Sequence, residues 1–221
     1  MQETTQVSYG TGTITITEST QSEIEVAAPD IRFGDYYKAV EACFTAKELE
    51  EISEGSSAVL DFKYNMTDKP GDEDEAQSFK EGIEHAEMMT GPLQSGVYFE
   101  VEAVKSVGGE EANEIGALYD DVEFQYEIPR YLVAEKRVYY AMTNVMGVCE
   151  LEEDVDEAAD TLSISTRDVG TTLILYQDGK NQSGQNNSGF MIRKQYLFLM
   201  AIVALGLIWW ALERRNKRKL N

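Results

Sequence analysis

The sequence predicts a mainly β fold, an antiparallel β-sandwich-like arrangement with one or two short helices, followed by a single C-terminal transmembrane helix. Short segments of alternating apolar and polar residues recur along the chain and are separated by turn residues, which is typical of sandwiches. Few segments have the 3.6-residue spacing of a helix. Close to the C-terminus, residues 196–212 form an uncharged apolar run.

The N-terminal residues 1–29 are predicted to form β-strands. Threonine alternates with valine and isoleucine over TQVSYGTGTITITEST, and Gly10 and Gly12 mark a bend or bulge within it. The next segment, SEIEVAAP, alternates in the same way. It predicts a further strand with Ile24 and Val26 on one face, ended by Pro29.

Helical signals follow in the acidic β-rich module, residues 30–177. The segment DYYKAVEACF suggests a short helical turn, and FTAKELEEISEG is clearer because Thr45 and Glu48 have the spacing of a capping box. A third segment, DEDEAQSFKEGIEHAEMM, carries acids in its first turn, where they favour the helix dipole. Its core-facing positions are predicted to be Phe79, Ile83 and Ala86.

The other periodic segments of this module are predicted strands. Residues 57–66 place Leu60, Phe62, Tyr64 and Met66 on one face, and residues 122–128 give the cleanest two-residue period of the chain. Further strands are predicted at 97–104, 161–166 and 171–178. A hairpin is predicted over 136–153, turning at Thr143 and Asn144 or nearby.

The C-terminal end of the chain predicts a membrane anchor. Residues 178–195 have the composition of a flexible linker, and residues 196–212 would reach about 26 Å as a helix, close to the thickness of a bilayer core. Aromatic residues stand at both ends of this segment, as at membrane interfaces. The residues that define the anchor are Tyr196, Leu197, Phe198, Leu199, Trp209, Trp210 and Leu212.

Charge predicts which side of the membrane each end occupies. Five basic residues crowd the tail at 213–221, against two (Arg193 and Lys194) just before the span, so the positive-inside rule places the C-terminus in the cytoplasm and the body outside. The topology-setting residues are Arg214, Arg215, Lys217, Arg218 and Lys219. The first ten residues, MQETTQVSYG, do not resemble an export signal. We expect a signal upstream of this sequence; the alternative is a tail-anchored protein with a cytosolic body.

The body is strongly acidic, and it offers little that points to catalysis. Residues 1–190 carry 12 basic and 39 acidic residues, which argues against nucleic-acid binding. The single histidine, His85, has no nucleophile motif beside it, and no catalytic, cofactor-binding or metal-ligating residue is predicted. Cys43 and Cys149 allow either one disulfide or two buried free thiols.

A few residues carry weaker signals. Acidic pairs at Asp72 and Asp74, and at Asp154, Asp156 and Asp160, partly mimic calcium loops, although solvated acidic loops explain them better. Lys63 beside Asp61 is the one candidate position for a spontaneous Lys–Asn crosslink, although a solvent-facing lysine explains it better. The paired tyrosines Tyr36, Tyr37, Tyr139 and Tyr140 could stack on sugars, or pack half-buried.

Several segments in order resemble a β-rich module of Gram-positive, especially clostridial, cell-surface proteins. The segments are FTAKELEEISEGSSAVLDFKYNMTD, SGVYFEVEAVKSVGGEE, DVEFQYEIPRYL, RVYYAMTNVMGVCELEED and TLSISTRDVGTTLILY. The resemblance covers residues 44–176, is best preserved at 127–132, and departs from the family pattern at AMTNVMG and at residues 169–172. It implies a stalk or presentation module that stands before a linker and a membrane helix.

These observations lead to three functional hypotheses. The first is a non-enzymatic, single-pass cell-surface protein whose stalk, presentation or adhesion-type module is held outside the membrane and contacts an extracellular protein or glycan. The second is a tail-anchored cytosolic binding protein. The third and weakest is a carbohydrate-binding or hydrolytic surface domain. In each case the lipid bilayer is a partner through the C-terminal helix, and no cofactor is expected.

Overall fold

The computed structural model describes residues 2–155, 158 and 160–179, and it confirms a mainly β fold. The strands are β1 Gln2–Tyr9, β2 Gly12–Ser22, β3 Ile31–Phe33, β4 Ser57–Thr67, β5 Gln94–Val107, β6 Asn113–Glu114, β7 Ala117–Glu127, β8 Arg137–Val145, β9 Val148–Glu153, β10 Thr161–Asp168 and β11 Thr171–Asp178. The helices are α1 Tyr36–Cys43, α2 Ala46–Ser53 and α3 Glu73–Thr90.

Two sheets pack face to face. The large sheet has the order β1-β2-β4-β5-β11-β8-β9, with β6 beside β5, and the small sheet has the order β10-β7-β3. The face of the large sheet that meets the small sheet is called the inner face, and the opposite one the outer face. Aromatic rings join the layers: the Phe62 ring lies 5.0 Å from that of Phe33 and 6.1 Å from that of Phe124. The strand alternation predicted for residues 57–66 is confirmed, since its four apolar residues are buried here.

The N-terminal strands form a tight hairpin. β1 and β2 pair in an unbroken register from Gln2 opposite Ser19 to Tyr9 opposite Gly12, so the glycines mark a two-residue turn without a bulge. Gly10 has a φ of 62°, a conformation that glycine adopts without a Cβ penalty. The amide of Thr11 in this turn donates to the Ser53 carbonyl at 2.9 Å, which fixes the hairpin to the end of α2.

The sandwich is not wholly antiparallel, which corrects the sequence prediction. β2 pairs with β4 in parallel, from Thr13 opposite Ser57 to Ser22 opposite Met66. Residues 23–56, which include β3, α1 and α2, lie between these two strands. A parallel pair requires a crossover of this length, whereas a short hairpin joins antiparallel strands. The segment that contains α1 and α2 is therefore the crossover connection that allows β2 and β4 to pair in parallel.

The strand predicted in SEIEVAAP is wrong. Residues 23–26 bend away from the large sheet, although Ile24 and Val26 still pack against the core. Local hydrogen bonds hold the bend: the Ser22 hydroxyl donates to the Ile24 carbonyl at 2.9 Å, and the Val26 amide donates to the same carbonyl at 2.7 Å. Serine side chains offer the backbone this alternative to a sheet ladder, and alternation alone does not reveal it.

The described part of the chain contains three helices rather than the one or two short helices expected. The predicted capping box of α2 is confirmed, because the Glu48 amide donates to the Thr45 hydroxyl at 3.2 Å and the Thr45 amide donates to the Glu48 carboxylate at 2.6 Å. In α3, which begins after the N-cap Asp72, Phe79 and Ala86 are buried as predicted and Ile83 is half-buried.

The β8–β9 hairpin turns three residues later than the predicted Thr143 and Asn144. Met146 and Gly147 form its loop with φ values of 51° and 83°. Positive φ at both positions is the requirement of a type I′ turn. Asparagine or aspartate usually precedes the glycine of such a turn, so a methionine there gives a weak sequence signal. The Asn144 side chain instead accepts from the Gly147 amide at 2.9 Å.

Helix α3 covers only part of the outer face. Phe79 and Ala86 form a second apolar cluster with Met142, Leu173 and Leu175 of β8 and β11. The other part of the outer face, on β1, β2 and β4, is called the open half. No helix among the described residues is long and apolar enough to cross a membrane. The predicted linker from residue 180 onward, the predicted span at 196–212 and the basic tail lie outside the described residues.

Candidate functional site

A groove opens where the β3–β7 ladder ends. Ile31 is paired with Tyr126 in that ladder, and one residue further along Glu127 makes two bonds with Asp30. The Glu127 amide donates to the Asp30 carbonyl at 2.8 Å, and its carboxylate accepts from the Asp30 amide at 3.0 Å. Beyond this clamp, residues 25–29 and 127–131 form two walls. We call the space between them the 25–29/127–131 groove.

The groove is apolar and has a volume of about 540 Å³. Buried residues form its base, namely Pro29, Ile128 and Pro129. Val26, Ala27 and Ala28 continue one wall. A concave apolar surface with a small number of polar groups has the general character of a ligand site, and this volume lies within the usual range.

Besides the clamp residue Glu127, two polar side chains stand on the 127–131 wall of the groove, and Glu25 lines the other wall. Arg130 is exposed, and Tyr131 is 53% exposed in the turn that the Leu132 amide closes on the Pro129 carbonyl at 2.7 Å. Partial burial raises the pKa of the Tyr131 phenol above its ordinary value, so the hydroxyl stays protonated at neutral pH and can donate a hydrogen bond. A guanidinium and a phenol beside an apolar base suit an extended segment with apolar side chains and a carbonyl or carboxylate acceptor.

The 127–131 wall is fixed firmly to the two sheets. The Ile128 amide donates to the Asp160 carbonyl at 2.8 Å. The Leu132 carbonyl accepts from the Tyr139 hydroxyl at 2.8 Å and from Arg137 at 2.6 Å. Arg137 is itself paired with Asp178 of β11 at 2.7 Å. The 127–131 wall is therefore held by hydrogen bonds to strand residues and their neighbours, and these contacts favour a preformed wall.

A second, polar groove lies on the open half. It has a volume of about 380 Å³ and runs between the ends of β2, β4 and β5. The Asn65 amide group donates to Glu23 at 2.8 Å and to Glu100 at 3.2 Å, and Lys63 lies 3.7 Å from Glu102. These groups largely satisfy one another. The polar groove therefore offers less free bonding capacity than its residue types suggest.

Glu18 carries a buried carboxylate. It projects from β2 to the inner face and is 4% exposed. One oxygen accepts from the Phe33 amide at 2.9 Å, and the other accepts from the Tyr36 hydroxyl at 2.8 Å. Burial raises the pKa of this carboxyl to about 7, and the two hydrogen bonds oppose the rise. Both oxygens are occupied by the protein itself, so the group has a structural role.

Lys105 is a buried cation on the same face. Its ammonium lies 2.7 Å from the Glu48 carboxylate and 2.9 Å from the Cys43 carbonyl, which it donates to. The rings of Phe44 and Tyr119 lie 5.4 Å and 5.5 Å from it. Desolvation alone would raise the pKa of Glu48, but hydrogen bonds from Lys105 and Thr45 lower it overall.

Neither Glu18 nor Lys105 was identified by motif. A signal was nevertheless present in the sequence. Each lies at an inward position of a two-residue alternation, Glu18 in phase with Ile14 and Ile16, and Lys105 in phase with Ala103 and Val107. A charged residue in the apolar phase of a strand predicts a buried, partnered group.

The two cysteines are both free thiols and belong to different apolar clusters, Cys43 between the sheets and Cys149 under α3. Burial raises the pKa of Cys43 to about 12 and that of Cys149 to about 11. Both thiols therefore stay protonated at neutral pH. A thiolate is the reactive form, so these environments do not favour nucleophilic chemistry at either cysteine.

Among the described residues, the aspartates with calcium-like spacing do not form a shared site, and Asp72 and Asp154 each accept a backbone hydrogen bond elsewhere in the fold. Asp72 caps α3 by accepting from the Glu75 amide at 2.8 Å, and Asp154 accepts from the Ser163 amide at 3.1 Å. Asp156 lies outside the described residues. Across the described ranges, no group of three or more histidine, cysteine, aspartate or glutamate residues could hold a metal ion. His85 is exposed on α3.

The four tyrosines considered for sugar stacking do not form one platform. The Tyr36 hydroxyl bonds Glu18, and the Tyr37 hydroxyl donates to the Ser8 carbonyl at 2.6 Å. Tyr139 is buried on the inner face, whereas Tyr140 packs in the cluster under α3 on the outer face. Lys63, the candidate for a crosslink, lies on the solvent-exposed outer face.

The predicted membrane-anchor and topology residues all lie outside the described residues, so the site is built from the body alone. Comparison of the chain with known protein families, curated proteins and solved structures finds no match.

Proposed function

We propose that the protein is a non-enzymatic, single-pass cell-surface protein whose body is an adhesion-type or presentation module outside the membrane. The 25–29/127–131 groove carries the proposal. It is open and apolar, and strand-anchored hydrogen bonds hold its 127–131 wall. Such a surface suits recognition of a partner better than it suits bond making. The apolar run at 196–212 and the basic tail supply the anchor and its orientation.

The groups with strongly shifted pKa values support a binding role. Glu18 and the Cys43 thiol are buried between the sheets, and Glu18 has both oxygens occupied by the backbone and a tyrosine. Catalytic groups need access to a substrate as well as a shifted pKa. In this body the shift follows from burial in the core, and the open groove lies elsewhere.

The groove favours a protein ligand over a glycan. Its surface is apolar, and Tyr131 is the single aromatic side chain that lines it. An extended, apolar peptide segment would fill the base, and Arg130 would meet a carbonyl or carboxylate of that segment. Sugar recognition depends on stacking faces and several polar groups, so glycan-array binding abolished by Tyr131→Ala would instead support the carbohydrate hypothesis.

Protease shaving of intact cells tests the location of the body. Cells that produce the full chain are treated with a protease that does not enter them, and the body is followed by antibody against residues 2–179. Loss of the body in intact cells is the expected result. Protection in intact cells together with digestion after lysis would overturn the proposal.

One observation favours the alternative of a tail-anchored cytosolic binding protein. Both cysteines are free, and free thiols are the usual state in reducing compartments. The two hypotheses share the groove and differ only in the side of the membrane. Protection of the body from protease in intact cells would support the tail-anchored alternative.

A further inference from the structure

The two edges of the large sheet are protected differently. β9, at one edge, carries the acidic residues Glu150, Glu152 and Glu153 within its sequence VCELEE. β1, at the other edge, has the sequence QETTQVSY with one charged residue, no lysine, no proline and no bulge in its register. Proteins commonly protect exposed edges with charges, prolines or bulges. β1 lacks most of these devices.

The free backbone groups of β1 belong to its even-numbered residues. A two-residue turn closes on the pair Tyr9 and Gly12, and hydrogen bonds of antiparallel strands alternate from there, so odd-numbered residues bond β2. The Tyr37 hydroxyl donates to the Ser8 carbonyl from the other side, which independently shows that even-numbered residues face outward. No described strand pairs with this edge. Gln2, Thr4 and Gln6 therefore present amide and carbonyl groups outward.

We infer that β1 pairs with β1 of a second copy of the chain, in antiparallel register centred on Thr4. In this register Thr4 lies opposite Thr4, and Gln2 lies opposite Gln6. The Thr4 amide of each copy then donates to the Thr4 carbonyl of the other copy. The Gln2 amide of each copy donates to the Gln6 carbonyl of the other, and the Gln6 amide donates to the Gln2 carbonyl. The pairing ends before Ser8, whose carbonyl is already bonded to Tyr37.

The side chains of β1 complement themselves in this register. The charged residue Glu3 lies opposite Thr5 of the other copy, so no like charges face each other. Thr4 opposite Thr4 and Gln2 opposite Gln6 are polar pairs on the outer face. A second copy is thus accommodated by charge as well as by hydrogen bonding. In β9, three acidic residues within six would meet like charges in a similar pairing.

A pairing of this length is expected to be weak. The net contribution of each backbone hydrogen bond to association is small, so we expect association at concentrations on the order of 100 μM rather than in the nanomolar range. The inference does not depend on which side of the membrane the body occupies.

Substitution of outward-facing residues by proline tests the register. Thr4→Pro removes an outward amide that β2 does not use, and proline is tolerated on edge strands when its position faces solvent. Ser8→Pro is the matched control, because it makes the same change on the same edge outside the proposed pairing. Thr4→Val keeps the amide and changes only the side chain.

The mass of the full chain in detergent is measured against concentration by analytical ultracentrifugation. We expect a monomer–dimer equilibrium in the unchanged protein, in Ser8→Pro and in Thr4→Val, and a dissociation constant at least about tenfold higher in Thr4→Pro. The predicted span is identical in all four proteins, so differences between them report on β1. The inference would be overturned if the unchanged protein stayed monomeric at every concentration, or if Thr4→Pro dimerised with the same dissociation constant as the unchanged protein.

Amide hydrogen exchange in the unchanged full chain provides a second measurement that does not depend on a variant folding. The amides of Gln2, Thr4 and Gln6 should become protected as concentration rises, and that of Ser8 should not. Exchange of the three amides at the same fast rate in a fully dimeric sample would also overturn the inference.

Discussion

The covered and open halves of the outer face differ in what their strands present. On β8 and β11 the outward side chains are Met142, Leu173 and Leu175, and α3 lies over them. On β2 the outward side chains are Thr13, Thr15 and Thr17, and no described helix covers them. The same sheet therefore has a two-sided core in one half and a solvated face in the other.

This difference follows from the apolar stripe of one helix. Phe79 and Ala86 of α3 need an apolar surface, and Gly82 between them allows the helix axis to approach the sheet closely. The phenyl ring of Phe79 packs edge-on against that of Tyr98 at 5.2 Å. A strand with threonine at its outward positions cannot supply this surface, because its hydroxyl groups would lose water. Helix α3 thus covers the half of the outer face whose side chains are apolar.

The largest effect is expected for Phe79→Ala in the covered half. Phe79 is 1% exposed, and its removal should lower the free energy of unfolding by about 3–5 kcal/mol through lost burial and a cavity. Val59→Ala in the open half, where Val59 is 45% exposed, should cost less than about 1 kcal/mol. Urea denaturation of both variants checks the contrast. Equal losses would mean that α3 does not cover a real core.

The next effect concerns the inner face and depends on pH. The pKa of Glu18 is raised to about 7 from an ordinary value near 4.5, so the folded state retains a proton that the unfolded state releases. The contribution of Glu18 to stability should be fully present below about pH 4.5 and should fall by about 3 kcal/mol as pH rises from there to about 7. Glu18→Gln should remove this fall, because glutamine can bond Phe33 and Tyr36 without a charge. Thermal melting from pH 5 to 8 compares the two proteins; parallel profiles would contradict the assignment.

A smaller effect is expected at the contact between α3 and the sheet. A Cβ at Gly82 would lie 2.7 Å from the Cys149 Cβ and 2.9 Å from the Met142 sulfur. Gly82→Ala should therefore destabilise by about 1–2 kcal/mol, although alanine is the better helix former. Gly116→Ala is the control, since nothing lies within 4 Å of its added Cβ. Stabilisation by Gly82→Ala would show that the helix packs more loosely than described.

The smallest effect belongs to the polar groove on the open half. Lys63 and Glu102 are both largely exposed, and Lys63→Ala should change the free energy of unfolding by no more than about 0.5 kcal/mol. Salt should further reduce the difference, because exposed ion pairs are screened. Denaturation at low and high ionic strength measures it. A loss above about 1 kcal/mol would place Lys63 in the core network rather than on the solvated face.

Much of the fold was predictable from local chemistry. The alternation in β4 and β7, the Thr45–Glu48 capping box and the core face of α3 all follow from residue spacing. Pairing partners were not predictable, because alternation gives a strand its two faces without naming its neighbour. The parallel β2–β4 pair is the clearest case, since only the crossover through α1 and α2 produces it.

The candidate groove could be predicted only in part. Residues 127–132 stand out in the sequence as the best-preserved part of the resemblance, but the alternation in SEIEVAAP predicts a strand where the other wall lies. Residues 25–29 form that wall because the chain bends away from the sheet at Ser22, and a local hydrogen bond decides this bend. The groove therefore depends on two segments about a hundred positions apart in sequence, which no local pattern connects.

One labelling experiment tests both the exposure of the open half and the location of the body outside the membrane. Thr15→Cys places a thiol on the open half, and intact cells are treated with a maleimide that does not cross membranes. The native Cys43 and Cys149 serve as internal controls, because Cys43 is buried, Cys149 is half-buried, and both thiols are protonated. We predict rapid labelling of Thr15→Cys in intact cells and little labelling of the unchanged protein. Labelling of Thr15→Cys only after lysis would contradict the location, and equally slow labelling in both conditions would contradict the open half.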